Sequence, residues 1–350
     1  MDFDTIIIGS GISGLTIAAG LDNPNFLILE ARDRIGGRVL TNSQNNLDMG
    51  AAWIHGSIDN PLNKFLDYAC EMILVSPNNP WIHSEEASIQ YLNINETISE
   101  TSRQQIALKW RELVLKIASI PNKTIAEAFS EISNKNDLCP YIDSFIYMLE
   151  VWCGGSVSNI PTSYLQNSVG DYPGAHCLFK NGATTLVNAI VSSSKHNIMD
   201  RLQFNKIVTH INYNNASVEI VVSTGLRYYC KKVCITVPPG PLLNITFNPP
   251  LDEERLYALS QIKMGSYKKI QLQFEKDDVF WCNSPMLLTC ENEKYTIWNN
   301  YMTLKNKPII EAICPADIGW ALAGKSDDEI IDQVMTKLRK FYPYAPDPIS

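Results

Sequence analysis

The chain is 350 residues long, more than a single core usually holds, so two domains or one with a large insert are expected. It is 45% apolar and 19% charged, with a formal net charge of -8 and no Lys/Arg run, which argues against a nucleic-acid partner. No apolar run nears the roughly 20 residues that span a bilayer, so no membrane partner is expected.

The first expected strand, Thr5 to Ile8, runs straight into the turn "GSGISG". Gly9 permits the tight turn, Gly11 lets the backbone approach a pyrophosphate, and Gly14 lets the following helix pack on the strand. The helix starts at Ile12, so the free N–H groups around Ile12 and Ser13 face the phosphates. A strand that begins this near Met1 leaves no room for a signal peptide, and a cytoplasmic location is expected. The nine cysteines include no C-x-x-C pair, and no His stands at metal-ligand spacing, so reduced thiols and no metal are expected.

"NFLILE" reads as a second strand ending in Glu30, about 20 residues past the first glycine, where an acid binds a ribose hydroxyl pair. A solvated strand-end charge is the alternative reading. "EARDRIGGRV" then sets Arg32, Arg34 and Arg38 around the pair Gly36 and Gly37. A second glycine-arginine turn suits a dinucleotide more extended than NAD, because the planar guanidinium pairs with phosphate oxygens. Arg38 is the first candidate and Arg32 the second, while Arg34 reads as exposed.

Further along, "TSRQQIALKWRELVLKIASI" places Ile106, Trp110, Leu113, Val114 and Ile117 on one helical face, and "YIDSFIYMLEVW" reads as another helix. From Leu202 the period becomes two, in "KIVTHINY", "SVEIVVS" and "KKVCITV", the last reading as a buried strand with Cys230 and Cys234. A mixed sheet follows in "YKKIQLQF", "KYTIWNN" and "PIIEAICP". The last helix opens on Ser326 and Glu329, a capping box.

The text "GSGISGL…LILEARDRIGGRV…LDMGAAWIHG" resembles the amino-terminal part of the flavin-containing amine oxidases, which include polyamine oxidases, monoamine oxidases and histone lysine demethylases. The resemblance implies FAD as cofactor and an α/β fold: a Rossmann-like FAD-binding (GR2-type) domain with a substrate domain of mixed β-sheet plus helical insert. It divides the chain into a discontinuous FAD domain, 1–75 and 178–245, and a substrate domain, 76–177 and 246–350, with "VPPGPL" as the crossover. Gly50, Ala51 and Ala52 would meet the flavin ring with Trp53 beside it, Gly37 would belong to the second flavin turn, and Val208 would meet the adenine.

In such enzymes a neutral amine loses hydrogen from its α-carbon to flavin N5, and the resulting imine is hydrolysed. Oxygen then reoxidises the flavin and yields hydrogen peroxide. The resemblance assigns Lys269 to the lysine that reaches N5 through water. Its neighbour Lys268 points to the opposite side, because strand residues alternate; a solvated edge strand is the other reading of the pair. His55 falls at the substrate cavity, whereas His83, His176, His196 and His210 gain no such support. The partners implied are a small-molecule amine and O2, nearest the polyamine branch because of "GAAWIHG". The family's pattern continues past Ser350 into a further flavin-binding segment, so a separate polypeptide supplying it is a further expected partner. A catalytically incomplete flavin-fold protein, or a flavin oxidoreductase of amino acids, porphyrin or carotenoid precursors, are the alternatives.

Overall fold

The structure, a computed structural model, describes residues 2–66, 72–76, 89–92, 99–132, 142–166, 172–289 and 297–350. His83 and the first residues of the expected strand "KYTIWNN" lie outside these. The chain forms two compact units: Met1–Ile54, Asn60–Ile73 and Leu178–Met264, then His55–Asp59, Leu74–Cys177 and Gly265–Ser350. The first unit therefore runs beyond the sequence-based boundary at 245. The strand Thr246–Asn248 pairs in parallel with Val208–Tyr213 and holds the crossover segment to that sheet. Residues 55–59 join the second unit, where Ile58 N–H donates to Pro173 O at 2.7 Å.

In the first unit, β1 (Phe3–Ile8) leads into α1 (Ile12–Gly20), and β2 (Phe26–Leu29) follows. All four residues of β2 and the last four of β1 are buried, as expected of parallel strands covered on both faces. The seven-stranded sheet runs Thr246–Asn248, Val208–Tyr213, Val218–Val222, Arg227–Ile235, β1, β2, Leu202–Gln203. The last four of these strands are parallel, with β1 between β2 and a strand from much later in the chain. Leu15 and Ala18 of α1 are buried, and the helix Thr184–Ser192 packs beside it. Inward residues of the meander, Val208, Ile211, Ile220 and Val222, share one core with Ile6, Ile8, Leu27 and Leu29.

The strand Arg227–Ile235 corrects the sequence reading of a buried strand. Cys230 alone in it is fully buried, while Lys231 and Lys232 are exposed. On the same meander Glu219 accepts from Arg227 at 2.7 Å, Asn212 at 2.6 Å and Tyr229 at 2.8 Å. These donors hold its carboxyl at about 2, down from 4.5. A carboxyl lowered by folding stabilises fully above its unfolded value and loses that contribution as pH falls toward the folded one. Going from about pH 5 to about pH 3, the urea midpoint should therefore fall more in wild type than in Glu219→Gln, and high salt should shrink the difference. Parallel pH profiles would exclude the contribution.

In the second unit a five-stranded sheet runs Tyr267–Gln273, Ile309–Pro315, Ile297–Asn300, Met286–Thr289, Ile89–Leu92, antiparallel except for its last pair. Strand alternation divides its side chains between two cores. Ile270, Leu272, Trp298, Ile310 and Ala312 meet Val334, Met335 and Leu338 of the helix Asp327–Phe341. Met286, Leu288, Ile297 and Ile313 meet Ile106, Trp110, Leu113 and Ile117 of Glu100–Ala118, together with Tyr147 to Leu149. The helical stripe read from the sequence is thus a sheet-facing surface, with Val114 packed at its margin. The Ser326–Glu329 capping box is present with both of its hydrogen bonds.

Candidate functional site

Two of the three glycines of the turn, Gly9 and Gly14, have a steric reason in the first unit. Gly9 has φ +100°, and a Cβ there would lie 2.9 Å from Thr236 Oγ1. At Gly14 a Cβ would lie 2.0 Å from the carbonyl oxygen of Gly9, so only glycine lets α1 approach the end of β1. Thr236, which the sequence reading passed over, donates its hydroxyl to Ile8 O at 2.8 Å and ties the ends of two parallel strands together. Gly11 is the N-cap of α1, with no side-chain cap and no acid in the first turn. The N–H groups from Ile12 and Ser13 onward are thus left to the helix's positive end.

The second glycine turn lies directly on the first. Gly36 N–H donates to Ser10 O at 2.9 Å, and Gly11 and Gly36 form a bridge. A Cβ at Gly37 would come within 3.1 Å of Gly11 Cα. Arg32 and Arg38 are exposed, whereas Arg34 is not the exposed side chain read from the sequence. Its guanidinium donates to the carbonyls of Ile35, Gly37 and Val39, at 3.2, 2.8 and 3.4 Å, and so fastens the turn. Gly50 packs on Arg38, where a Cβ would lie 2.0 Å from the carbonyl oxygen. Ala51 donates its N–H to that same oxygen at 3.2 Å. Ala52 is buried, Ala51 exposed and Trp53 half-buried.

Glu30 is buried, not a solvated strand-end charge. One carboxylate oxygen accepts from Ser10 N–H and Ser10 Oγ, both at 2.7 Å, and the other from Arg32 N–H at 2.9 Å. Three donors leave room on a carboxylate that offers about four acceptor positions. Lys206 N–H donates to Glu30 O and Asn205 N–H to Arg32 O, which brings the segment leading to the buried Val208 alongside.

In the second unit Lys269 stands opposite Ile313 on the sheet, two residues along from Gln271 and therefore on the same face. That is the face covered by the helices Glu100–Ala118 and Ile142–Cys153. Both Lys268 and Lys269 are half-buried, so neither is a freely solvated edge lysine. Beside Lys269 lies a polar cluster that no motif announced. Fully buried Glu311 accepts from Gln271 at 2.7 Å and from Asn299 at 2.8 Å. Each partner stands directly across from Glu311 in the strand register. Only pairing of three distant strands assembles it.

His55 is exposed, and its Nδ1 lies 3.1 Å from Nδ1 of buried His176. Sequence reasoning missed this contact, because the segment "GAHC" around His176 carries no periodic or spacing signal. His196 bonds the backbone of Asp22 and His210 bonds Thr209, both within the first unit. Burial pushes the Cys230 thiol up to about 11 and Cys314 up to about 12, so both stay protonated and inert. Among the described residues, no three His, Cys, Asp or Glu side chains are placed to hold a metal.

Comparisons with known proteins bear on the family and the fold. Flavin containing amine oxidoreductase, as a family, matches residues 12–350. Polyamine oxidase 5 of Oryza sativa subsp. japonica is 26% identical over 99% of this chain and 73% of its own length. The lysine-specific histone demethylase 2 of Homo sapiens is 25% identical over 98% of this chain and 44% of its own. A triple mutant of putrescine oxidase superposes with a TM-score of 0.71 at 17% identity, covering 99% of this chain and 83% of that one, a likeness of fold. Two glycine turns in contact, an uncapped helix start and a buried acid at the end of β2 fit the phosphates and ribose of a flavin dinucleotide. By its match over nearly the whole length, the chain belongs to the flavin-containing amine oxidoreductases, and its cofactor is FAD.

Proposed function

We propose that this chain oxidises a primary or secondary amine of polyamine type to an imine, with O2 reduced to hydrogen peroxide. The observation that carries the reading is Lys269. It stands half-buried on the helix-covered sheet face, opposite a core isoleucine and on the same face as buried Glu311, at the position where the resemblance sets the lysine that reaches N5 through water. The similarity to polyamine oxidases supports the choice of substrate class.

In this reading the first unit is a GR2-type Rossmann domain. Gly9, Gly11, Gly14 and the N–H groups of Ile12 and Ser13 hold the pyrophosphate, and Glu30 takes a ribose hydroxyl. Gly37, Arg38 and Arg32 extend the phosphate contacts, Gly50 to Trp53 border the ring, and the Val208 backbone meets the adenine. FAD, when bound, supplies the acceptor for hydrogen from the amine's α-carbon and passes the electrons to O2. Lys269 orients a water, and His55 hydrogen-bonds the amine. The reaction needs the neutral amine, and an apolar surrounding would favour it by disfavouring the ammonium form.

The test is visible absorption of the purified chain, followed by peroxide release with spermine, spermidine and simple monoamines. A colourless protein that FAD cannot reconstitute would sink the reading and leave a catalytically incomplete flavin-fold protein. Lys269→Met should keep its flavin yet slow flavin reduction or reoxidation about tenfold, a barrier change of about 1.4 kcal/mol. Unchanged rates in stopped flow would remove this lysine from the mechanism.

A further inference from the structure

In the first unit the strand Thr246–Asn248 is followed by the helix Glu253–Gln261, none of whose nine residues is buried. Leu259 alone in it is half-buried. Leu256 is 46% exposed and Tyr257 68%, while Ile262 and Met264, just past the helix end, are 51% and 43% exposed. Four large apolar side chains so close together are not the scattered single hydrophobics of an ordinary surface. Nor does the helix stand on its own propensity, since an isolated helix below about 12 residues is marginal in water. Asp252 caps it by accepting from Arg255 N–H at 2.8 Å, which satisfies one of the four orphan N–H groups at a helix start. What would hold this helix further is a surface packed on its exposed side.

The charges along the helix say which surface fits. Asp252, Glu253 and Glu254 stand at its start, and Lys263 follows its end. Glu253, Leu256, Tyr257 and Ser260 share one face, at the helical spacing i, i+3, i+4 and i+7. In chain order the segment presents acids, then apolar side chains, then a cation, so its complement is the same order run backwards. We propose that this face binds a second copy of the chain, the two helices antiparallel about a two-fold axis near Ala258. Positions 253 and 263 lie equally far from 258, so Glu253 of one copy meets Lys263 of the other at both ends. Leu256 and Tyr257 of each copy pack on their counterparts, and Ile262 and Met264 cover the flanks. A two-fold contact must be self-complementary, and tyrosine and methionine are enriched where proteins meet. A parallel pair would instead set three acids against three acids. The contact involves the first unit alone and does not depend on the amine reading.

Sedimentation equilibrium of the full chain, with FAD present, tests this. The mass should rise with concentration from that of one chain toward that of two. Tyr257→Glu should raise the dissociation constant at least about tenfold, with an unchanged circular dichroism spectrum because the side chain is exposed in the single chain. Glu253→Lys and Lys263→Glu should each weaken association about threefold to tenfold. The double variant should recover it, because opposite charges again meet at both ends. A single-chain mass at every concentration up to about 100 μM overturns the proposal, and so does a dimer indifferent to Tyr257→Glu. A double variant weakened by the sum of its two changes overturns the antiparallel register. Binding of a different polypeptide by wild type and not by Tyr257→Glu, without self-association, gives the face to another partner and overturns the proposal as well. Should Tyr257→Glu fail to fold, Leu256→Arg replaces it and is read in the same way.

Discussion

Gly14→Ala should yield a protein that is destabilised by about 3 kcal/mol and purifies without flavin. The methyl group would be forced to 2.0 Å from the carbonyl oxygen of Gly9, and that oxygen belongs to the backbone turn itself. A flexible side chain could swing away, but this oxygen cannot, so α1 must lift from β1. Alanine's better helix propensity, worth up to about 1 kcal/mol, offsets only part of the cost. Gly20, at the other end of the same helix, has nothing within 4 Å of its Cβ position. Gly20→Ala should therefore be neutral or mildly stabilising in the same urea titration. If both variants behave alike, propensity and not the turn contact governs this helix.

Glu30→Ala should lose about 3 kcal/mol of stability and hold FAD roughly tenfold to a hundredfold more weakly. A ribose contact by itself would place the whole effect on the cofactor, with little effect on folding. The structure changes that expectation, because the carboxylate also satisfies Ser10 N–H, Ser10 Oγ and Arg32 N–H. Truncation orphans backbone donors in a buried place, and desolvated donors cost more than the hydrogen bond they lost. Glu30→Gln should fall between the two, since its amide keeps one acceptor oxygen but turns an NH2 group toward a donor. Flavin content after gel filtration and the urea midpoint measure the two effects separately. Full flavin occupancy in Glu30→Ala would end the ribose assignment, and an unchanged midpoint would end the structural one.

What could be read in advance was local. The spacing of Gly9, Gly11 and Gly14 before a helix, the Ser326–Glu329 box and the stripe Ile106, Trp110, Leu113 and Ile117 each involve residues within a few turns of one another. Their physics is complete in a short peptide: a φ sign, a cap, a period. The same holds for the alternation that put Lys269 on one sheet face and Ile270 on the other.

What the sequence left undetermined depends on residues far apart in the chain. Thr236 meets Ile8 across 228 positions, and His176 meets His55 across 121. Glu311 gains Asn299 and Gln271 only because three strands pair in one register. Arg34 shows the limit even at short range, since its fork turns inward where composition around it reads as surface. By itself the sequence determined the strand–turn–helix from Thr5 through Gly14 and the family to which the chain belongs. The tertiary structure alone decided which polar side chains are buried together. Burial is a property of the packed chain, and it is burial that makes one imidazole or carboxylate answer to a particular neighbour.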